Sequence, residues 1–286
     1  MSANCMEADV SAMSPLRCGR KINRAFFPEN ITDLQNICKE ISSDEYVLLG
    51  NMTNTLILGG YEGSAIFCEE IKGININGEK LTVRAGEKIS AICGVAQYAG
   101  LGGLESFYGL PGTVGGALSG NAGCFGCEIS EAIEKITVFN TEECEFEELT
   151  KEEIAFGYRY CNLRKNKDLV YEVTFDLYKK SPVLIAGQMA EVRRQRRIKQ
   201  PKGRSLGSFF KQYNGISAGY YIDKAGLKGY ERNGVTVSPV HANFFINEKG
   251  SAEDYYDLGE YVKKTVQDKF GITLEREVVV IGEKRI

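Results

Sequence analysis

With 286 residues, 43% apolar and 26% charged, and a formal charge of −3, the chain has the composition of an ordinary globular protein and none of the basic excess of a nucleic-acid binder. No apolar run approaches the roughly 18 residues a membrane span requires, and Met1-Ser2-Ala3-Asn4-Cys5 lacks the basic-then-apolar pattern of an export signal. A cytoplasmic protein with no membrane partner is expected, its length pointing to two or three compact units rather than one core.

In chain order, Leu34, Ile37, Cys38 and Ile41 recur at helical spacing behind Thr32, which predicts a helix capped by that threonine. Tyr46 to Leu49 predicts a short strand that stops in a turn at Gly50-Asn51. Leu81 to Arg84 alternates as a strand, and Ile89, Ile92, Cys93 and Ala96 predict a helix closing at Gly100. Strands follow at Ile136 to Phe139 and Leu169 to Leu177. Ser181-Pro182 opens a helix with Leu184, Ile185, Met189 and Val192 on its apolar side. Its basic end, Arg193-Arg194-Gln195-Arg196-Arg197, predicts a solvated face and a domain boundary. Beyond it, Ser217 to Ala225 predicts a short helix stopped by Gly226, and Ala242 to Asn247 a strand. Ser251 heads an amphipathic helix with Tyr255, Leu258, Val262, Val266 and Phe270 inward and Gly271 at its end, and Glu277 to Ile281 is the closing strand.

The densest signal is Gly109-Leu110-Pro111-Gly112-Thr113-Val114-Gly115-Gly116-Ala117, followed by Gly120-Asn121-Ala122-Gly123. Glycines bare the backbone, and successive amides make a nest for phosphate oxygens. The run lacks the GxGxxG of a dinucleotide fold and the Lys-Ser/Thr of a P-loop. By itself it fits ligand-free tight turns as well as a diphosphate cradle. Nine cysteines, an odd number without a framework, fit a reducing compartment. Cys124-Phe125-Gly126-Cys127 has redox or zinc spacing, but His241 is the only histidine and no second CxxC follows. The pair therefore reads as small residues in a turn, and no metal is expected.

Leu104-Glu105-Ser106-Phe107-Tyr108 running into the glycine segment resembles the second FAD motif of the MurB family, the UDP-N-acetylenolpyruvoylglucosamine reductases. Phe156-Gly157-Tyr158-Arg159, Gly207-Ser208-Phe209-Phe210-Lys211, Ala225-Gly226-Leu227-Lys228-Gly229, His241-Ala242-Asn243-Phe244 and Leu274-Glu275-Arg276-Glu277-Val278 resemble further motifs of that family in the same order. With no long insertion after Arg159, the chain resembles the shorter subtype. The resemblance implies an α+β fold: a two-part FAD-binding domain of the MurB/vanillyl-alcohol-oxidase (PCMH) type, residues 1–72 and 73–180, and a smaller α+β substrate domain, residues 181–286.

It also implies an enzyme that carries hydride from NADPH through non-covalent FAD to an enolpyruvyl UDP-sugar, working as a monomer in peptidoglycan precursor synthesis. Cofactor-binding positions carried over are Gly50, Asn51, Met52, Thr53 and Asn54, then Gly109, Pro111, Gly112, Thr113, Gly115 and Gly116, with Asn121, Ala122 and Gly123. Met52 stands where the family has a glycine, which implies a weaker grip on pyrophosphate, while Asn51 is able to adopt positive φ. The catalytic carry-over is Ser208 as proton donor, Arg159 as fork for the substrate carboxylate and Glu277 as polariser of the developing enolate. Lys199 and Gln212 join Arg159 and Ser208 as substrate contacts. Read as bare residues, Ser208 fits a turn or cap serine, Arg159 a surface ion-pair partner, Glu277 an edge-strand charge with Glu275 as the alternative register, and Lys199 a solvated helix end. A flavin- or nucleotide-binding relative without reductase activity is the alternative reading.

Overall fold

The computed structural model describes residues 5–41, 45–59, 61–164 and 168–282. Met1 to Asn4, within the stretch read for an export signal, lie outside them. Two compact units result: Met1–Met6, Arg24–Asn51 and Gly63–Arg196 form one, and Glu7–Asn23, Met52–Glu62 and Arg197–Ile286 the other. The break at Arg196 falls within the basic stretch. Within the 1–72 part, Met52–Glu62 clusters with C-terminal residues because Thr55–Ile57 pairs in parallel with Val279–Ile281, and Glu7–Asn23 does so with Leu16 buried in their core. Neither paired segment's own pattern names a partner this distant along the chain, although Glu277 to Ile281 is legible as a strand.

Two larger sheets lie in the first unit, beside three two-stranded pairings among the described residues. In one, strand Tyr46–Leu49 and the Arg24–Phe26 part of strand Lys21–Phe26 flank Ser64–Phe67 in parallel. The crossover is the Ile31–Ile41 helix, which buries Leu34, Ile37, Cys38 and Ile41 as its spacing predicts. Its cap is Asn30, whose Oδ1 accepts from the Asp33 amide at 3.1 Å, and Thr32 lies inside the first turn. The other sheet is antiparallel, with strands in the order Glu145–Thr150, Ile133–Asn140, Leu169–Asp176, Lys80–Arg84 and Ile74–Asn77. Its inward side chains Leu81, Val83, Ile136, Val173 and Phe175 share one core with helix Ile89–Tyr98 and the short helix Val114–Ser119.

The unit ends in helix Pro182–Lys199, whose buried residues are Ile185, Met189 and Arg196. Leu184, expected on the inner side, is 62% exposed. The inner stripe runs 185, 189, 192, 196, and position 184 lies about 100° off it. The stripe ends on an arginine within the run expected to be solvated; Arg196 is only 8% exposed. Its Nε donates to the Tyr108 carbonyl at 3.1 Å and its guanidinium lies 5.1 Å from the Phe125 ring centroid.

In the second unit a three-stranded antiparallel sheet, Glu231–Arg232, Val235–Val237 and Phe245–Asn247, packs with helices Ala218–Lys224 and Ala252–Phe270. Ser251 and Asp254 form a capping box on the long helix, and Gly271 closes it at φ 68°. Phe270, expected inward, is 40% exposed because it occupies the helix's last position. The core centres on Phe209, Phe245 and Tyr255, with Phe209 and Phe245 centroids 4.7 Å apart. The Phe209 ring lies against Gly259, where an added Cβ would come within 2.4 Å of it.

Candidate active site

In the first unit, the glycine loop joins helix Ile89–Tyr98 to the antiparallel sheet through backbone bonds. The amides of Val114 and Gly115 donate to the carbonyls of Glu87 (2.8 Å) and Ala85 (2.9 Å), and Ile89 donates to Gly112. Thr113 caps the short helix, its Oγ1 accepting from the Gly116 amide at 3.3 Å. The amides that a helix start offers to an anion are thus used within the protein at Val114, Gly115 and Gly116. The glycines differ in what they do. Gly115 permits close packing, since a Cβ there would lie 2.9 Å from the Ala85 Cβ. Gly50, at the end of strand Tyr46–Leu49, is pressed on the cap, where a Cβ would stand 2.6 Å from Thr113 Oγ1. Gly109 and Gly112 have φ of 80° and 114°, with Pro111 between the turns.

Beside Gly50, Asn51 donates from Nδ2 to Glu69 Oε2 at 2.6 Å, and its Oδ1 is buried with no hydrogen-bond partner. A buried acceptor left this way fits a ligand that brings a donor, as a nucleotide cofactor does. Burial raises the Glu69 carboxyl above its ordinary range.

Asn121 is fully buried at φ 42°, and its side chain is engaged with the protein. Nδ2 donates to Glu128 Oε2 (2.7 Å) and the Gly157 carbonyl (3.0 Å), while Oδ1 accepts from the Ser130 amide (3.3 Å). It joins the glycine loop to the Phe156–Gly157/Tyr160–Cys161 hairpin. Arg159, at the tip of that hairpin, holds φ 54°, an uncommon angle for a side-chain-bearing residue. Its guanidinium lies over Tyr158, and Nη2 donates to the Gly123 carbonyl at 3.0 Å. The structure thus brings Arg159 together with Asn121, Ala122 and Gly123.

In the second unit, the half-buried Ser208 follows Gly207, which has φ 80°, and pairs as an isolated bridge with Phe244. Its neighbour Phe209 donates to the Asn243 carbonyl at 2.8 Å and accepts from the Glu277 amide at 2.8 Å. Asn243, 3% exposed, clamps Phe210 from both sides, its Oδ1 accepting from the amide (3.0 Å) and its Nδ2 donating to the carbonyl (2.7 Å). Asn54 completes the junction: its Nδ2 donates to the Glu277 carbonyl at 3.1 Å and its own carbonyl accepts from Val279 at 3.0 Å. Ser208, Glu277 and Asn54 therefore meet through the backbone although 223 positions separate Asn54 from Glu277. Glu275 pairs instead with Lys211. Lys199 and Gln212 are exposed. His241 orders the adjoining turn: Nδ1 accepts from the Asn243 amide at 3.3 Å, and burial lowers its pKa.

Met52 has φ 51° and is 3% exposed, so the positive φ falls on the methionine and not on Asn51. Sequence reasoning passed over Asn243 and Arg196. The signal for Arg196 was available, as the continuation of the Ile185, Met189, Val192 spacing. Asn243 lies within the His241-Ala242-Asn243-Phe244 motif, but its two bonds to Phe210 depend on a contact 33 positions away.

Residues 199–281 match the family model described as UDP-N-acetylenolpyruvoylglucosamine reductase, C-terminal domain, and residues 23–142 match that of an FAD binding domain. The chain is 37% identical over 282 residues to the UDP-N-acetylenolpyruvoylglucosamine reductase of Streptococcus pneumoniae strain CGSP14, with 96% of this chain and 93% of that protein covered. The identity, 37%, and the coverage, 96% and 93%, are the same for the enzyme of that name from Pediococcus pentosaceus. The crystal structure of the Thermus caldophilus reductase superposes with a TM-score of 0.82 at 31% identity, covering 97% of this chain and 98% of that one. The expected fold class holds, and the chain belongs to the UDP-N-acetylenolpyruvoylglucosamine reductase (MurB) family.

Proposed function

We propose that this protein is an FAD-dependent oxidoreductase that reduces UDP-N-acetylglucosamine enolpyruvate to UDP-N-acetylmuramate at the expense of NADPH. The observation that carries this is the backbone junction at Phe209, which holds Ser208 and Glu277 as neighbours within the region that matches the reductase C-terminal domain. FAD, when bound, supplies a two-electron relay between NADPH and the enolpyruvyl carbon. Gly50 to Asn54, with Gly109, Pro111, Gly112, Thr113, Gly115 and Gly116 and the Asn121 to Gly123 segment, would hold it without a covalent bond. The loop glycines and the Asn51 acceptor support that assignment.

Reduction of an enolpyruvyl ether leaves negative charge on the carbon beside the carboxylate. Arg159 holds that carboxylate in its planar fork, and Ser208 gives its hydroxyl proton to the carbon. Glu277 polarises the enolate as charge develops. Lys199 and Gln212 contact the rest of the UDP-sugar. On the same reading residues 1–72 and 73–180 bind flavin and residues 181–286 bind substrate. The enzyme works as a cytoplasmic monomer, independent of nucleic acid, in cell-wall synthesis on which cell shape and division depend.

The test is the absorbance spectrum of the purified protein. It is expected to be yellow, to bleach with NADPH in the absence of oxygen, to recover colour on adding the enolpyruvyl substrate, and to release all its flavin on acid precipitation. Protein that neither carries nor takes up FAD overturns the reading in favour of a nucleotide-binding relative without reductase activity. Flavin left in the acid pellet overturns non-covalent binding.

A further inference from the structure

We propose that Cys124 and Cys127 form a reversible dithiol–disulfide site that reacts with hydroperoxides. Nothing in the reductase reading uses these residues, and the inference stands independently of it. Gly123–Cys124 and Cys127–Glu128 form a hairpin in which Cys124 and Cys127 are direct cross-strand partners. The two loop residues, Phe125 at φ 51° and Gly126 at φ 82°, both adopt the positive φ of a type I′ turn. Direct partners present their side chains on one face, with Cα atoms about 4.5 or 5.5 Å apart according to hydrogen-bonding class. Either spacing lies within the roughly 4.4–6.8 Å that a disulfide spans.

The side chains are already gathered. Cys124 Sγ donates to the Ser106 carbonyl at 3.0 Å, and Cys127 Sγ is 3.3 Å from the Ser106 hydroxyl oxygen, so both thiols engage one residue. Both cysteines are half-buried, while Phe125 and Gly126 at the tip are exposed, which leaves a small oxidant a route in. Burial raises the Cys124 thiol, and the buried Arg196 guanidinium opposes that shift, giving a thiolate there a cationic neighbour. No group of three or more His, Cys, Asp or Glu able to hold a metal occurs among the described residues, so the pair lacks a metal-ligand set. By contrast, Cys38, whose Sγ donates to the Thr141 carbonyl at 3.2 Å, is 2% exposed, and burial pushes its thiol to about 12.

In the reaction, one thiolate attacks the hydroperoxide, the O–O bond breaks, and an alcohol, or water from hydrogen peroxide, leaves with a proton. The resulting sulfenic acid is attacked by the second sulfur; the S–O bond breaks, the S–S bond forms and water departs. Two thiols are oxidised, one hydroperoxide is reduced, and a small-molecule thiol reverses the change. The site adjoins Gly123, whose carbonyl accepts from Arg159.

The experiment treats the full chain with hydrogen peroxide, alkylates it under denaturing conditions and digests it with chymotrypsin, which cuts after Phe125 between the cysteines. The expected result is loss of alkylation at both Cys124 and Cys127, with their fragments joined until dithiothreitol is added and Cys38 and Cys93 alkylated as before. C127S should yield no joined fragments and instead a dimedone-reactive sulfenic acid at Cys124. Unchanged alkylation of the pair, joining of either cysteine to a different one, or oxidation to sulfinic acid without a bond overturns the proposal, and the parent protein alone decides among these outcomes.

Discussion

The glycine loop and the Ser208–Glu277 junction are both conspicuous in the sequence, but they are built on opposite principles. In the loop, small residues let backbone meet backbone: Gly115 rests on Ala85, Gly50 on the Thr113 cap, and the first helical amides are satisfied by carbonyls of the preceding segment. In the junction, large residues do the positioning. Phe209 and Phe210 fill the core, and the backbone between and beside them is bonded to Asn243 and Glu277, leaving Ser208 half-buried at the edge. A dense motif therefore marks where the chain must approach something closely, and in the loop much of that something is the protein itself.

The largest effect is expected at the junction. Ser208→Ala should slow reoxidation of the flavin by the enolpyruvyl substrate by about 10²–10⁴-fold, the usual cost of losing a positioned proton donor. Bleaching by NADPH should be nearly unchanged. Stopped-flow absorbance follows each step, and reoxidation at the parent rate would make Ser208 a turn residue. Phe209→Ala, which empties the centre of the aromatic core, should lower unfolding stability by about 3–5 kcal/mol in a urea titration. A smaller loss would show that the ring merely covers Gly259.

Within the loop, Gly115→Ala should cost about 1–3 kcal/mol by overpacking against Ala85, whereas Gly120→Ala, with nothing near the added methyl, should stay within about 0.5 kcal/mol. Equal effects from the two would erase the distinction between packing glycines and open ones. The smallest effect concerns His241. Its folded pKa lies below the ordinary value of 6.5 because burial disfavours the charged ring. The unfolded chain therefore takes up the proton first, and this contribution, complete above about 6.5, is lost as pH falls through the folded pKa. Comparing urea midpoints at about pH 8 and about pH 5.5 for parent and His241→Gln should show a smaller drop in the variant; an equal drop would assign the pH dependence to other groups.

Elements whose cause is local were legible from the chain. Leu34 to Ile41, Ile89 to Ala96 and Tyr255 to Val266 bury the predicted faces, because helical periodicity is carried by neighbouring residues. Ser251 caps its helix with its hydroxyl, and Gly271 closes it because, without a Cβ, it takes the left-handed φ of 68°. The family was legible as well, since ordered motifs survive in sequence wherever backbone conformation or packing admits few residue types. Only the tertiary structure decided matters that depend on a distant partner. It turned an arginine of the basic run into a buried prop under Tyr108 and Ser106, bound the Asn121 side chain to Glu128 and Gly157, and joined Asn54 to Glu277 across 223 positions. Periodicity reports which face of an element is buried. It does not report which polar group waits on the other side, because that partner is supplied by a different part of the chain and appears only when the chain has folded.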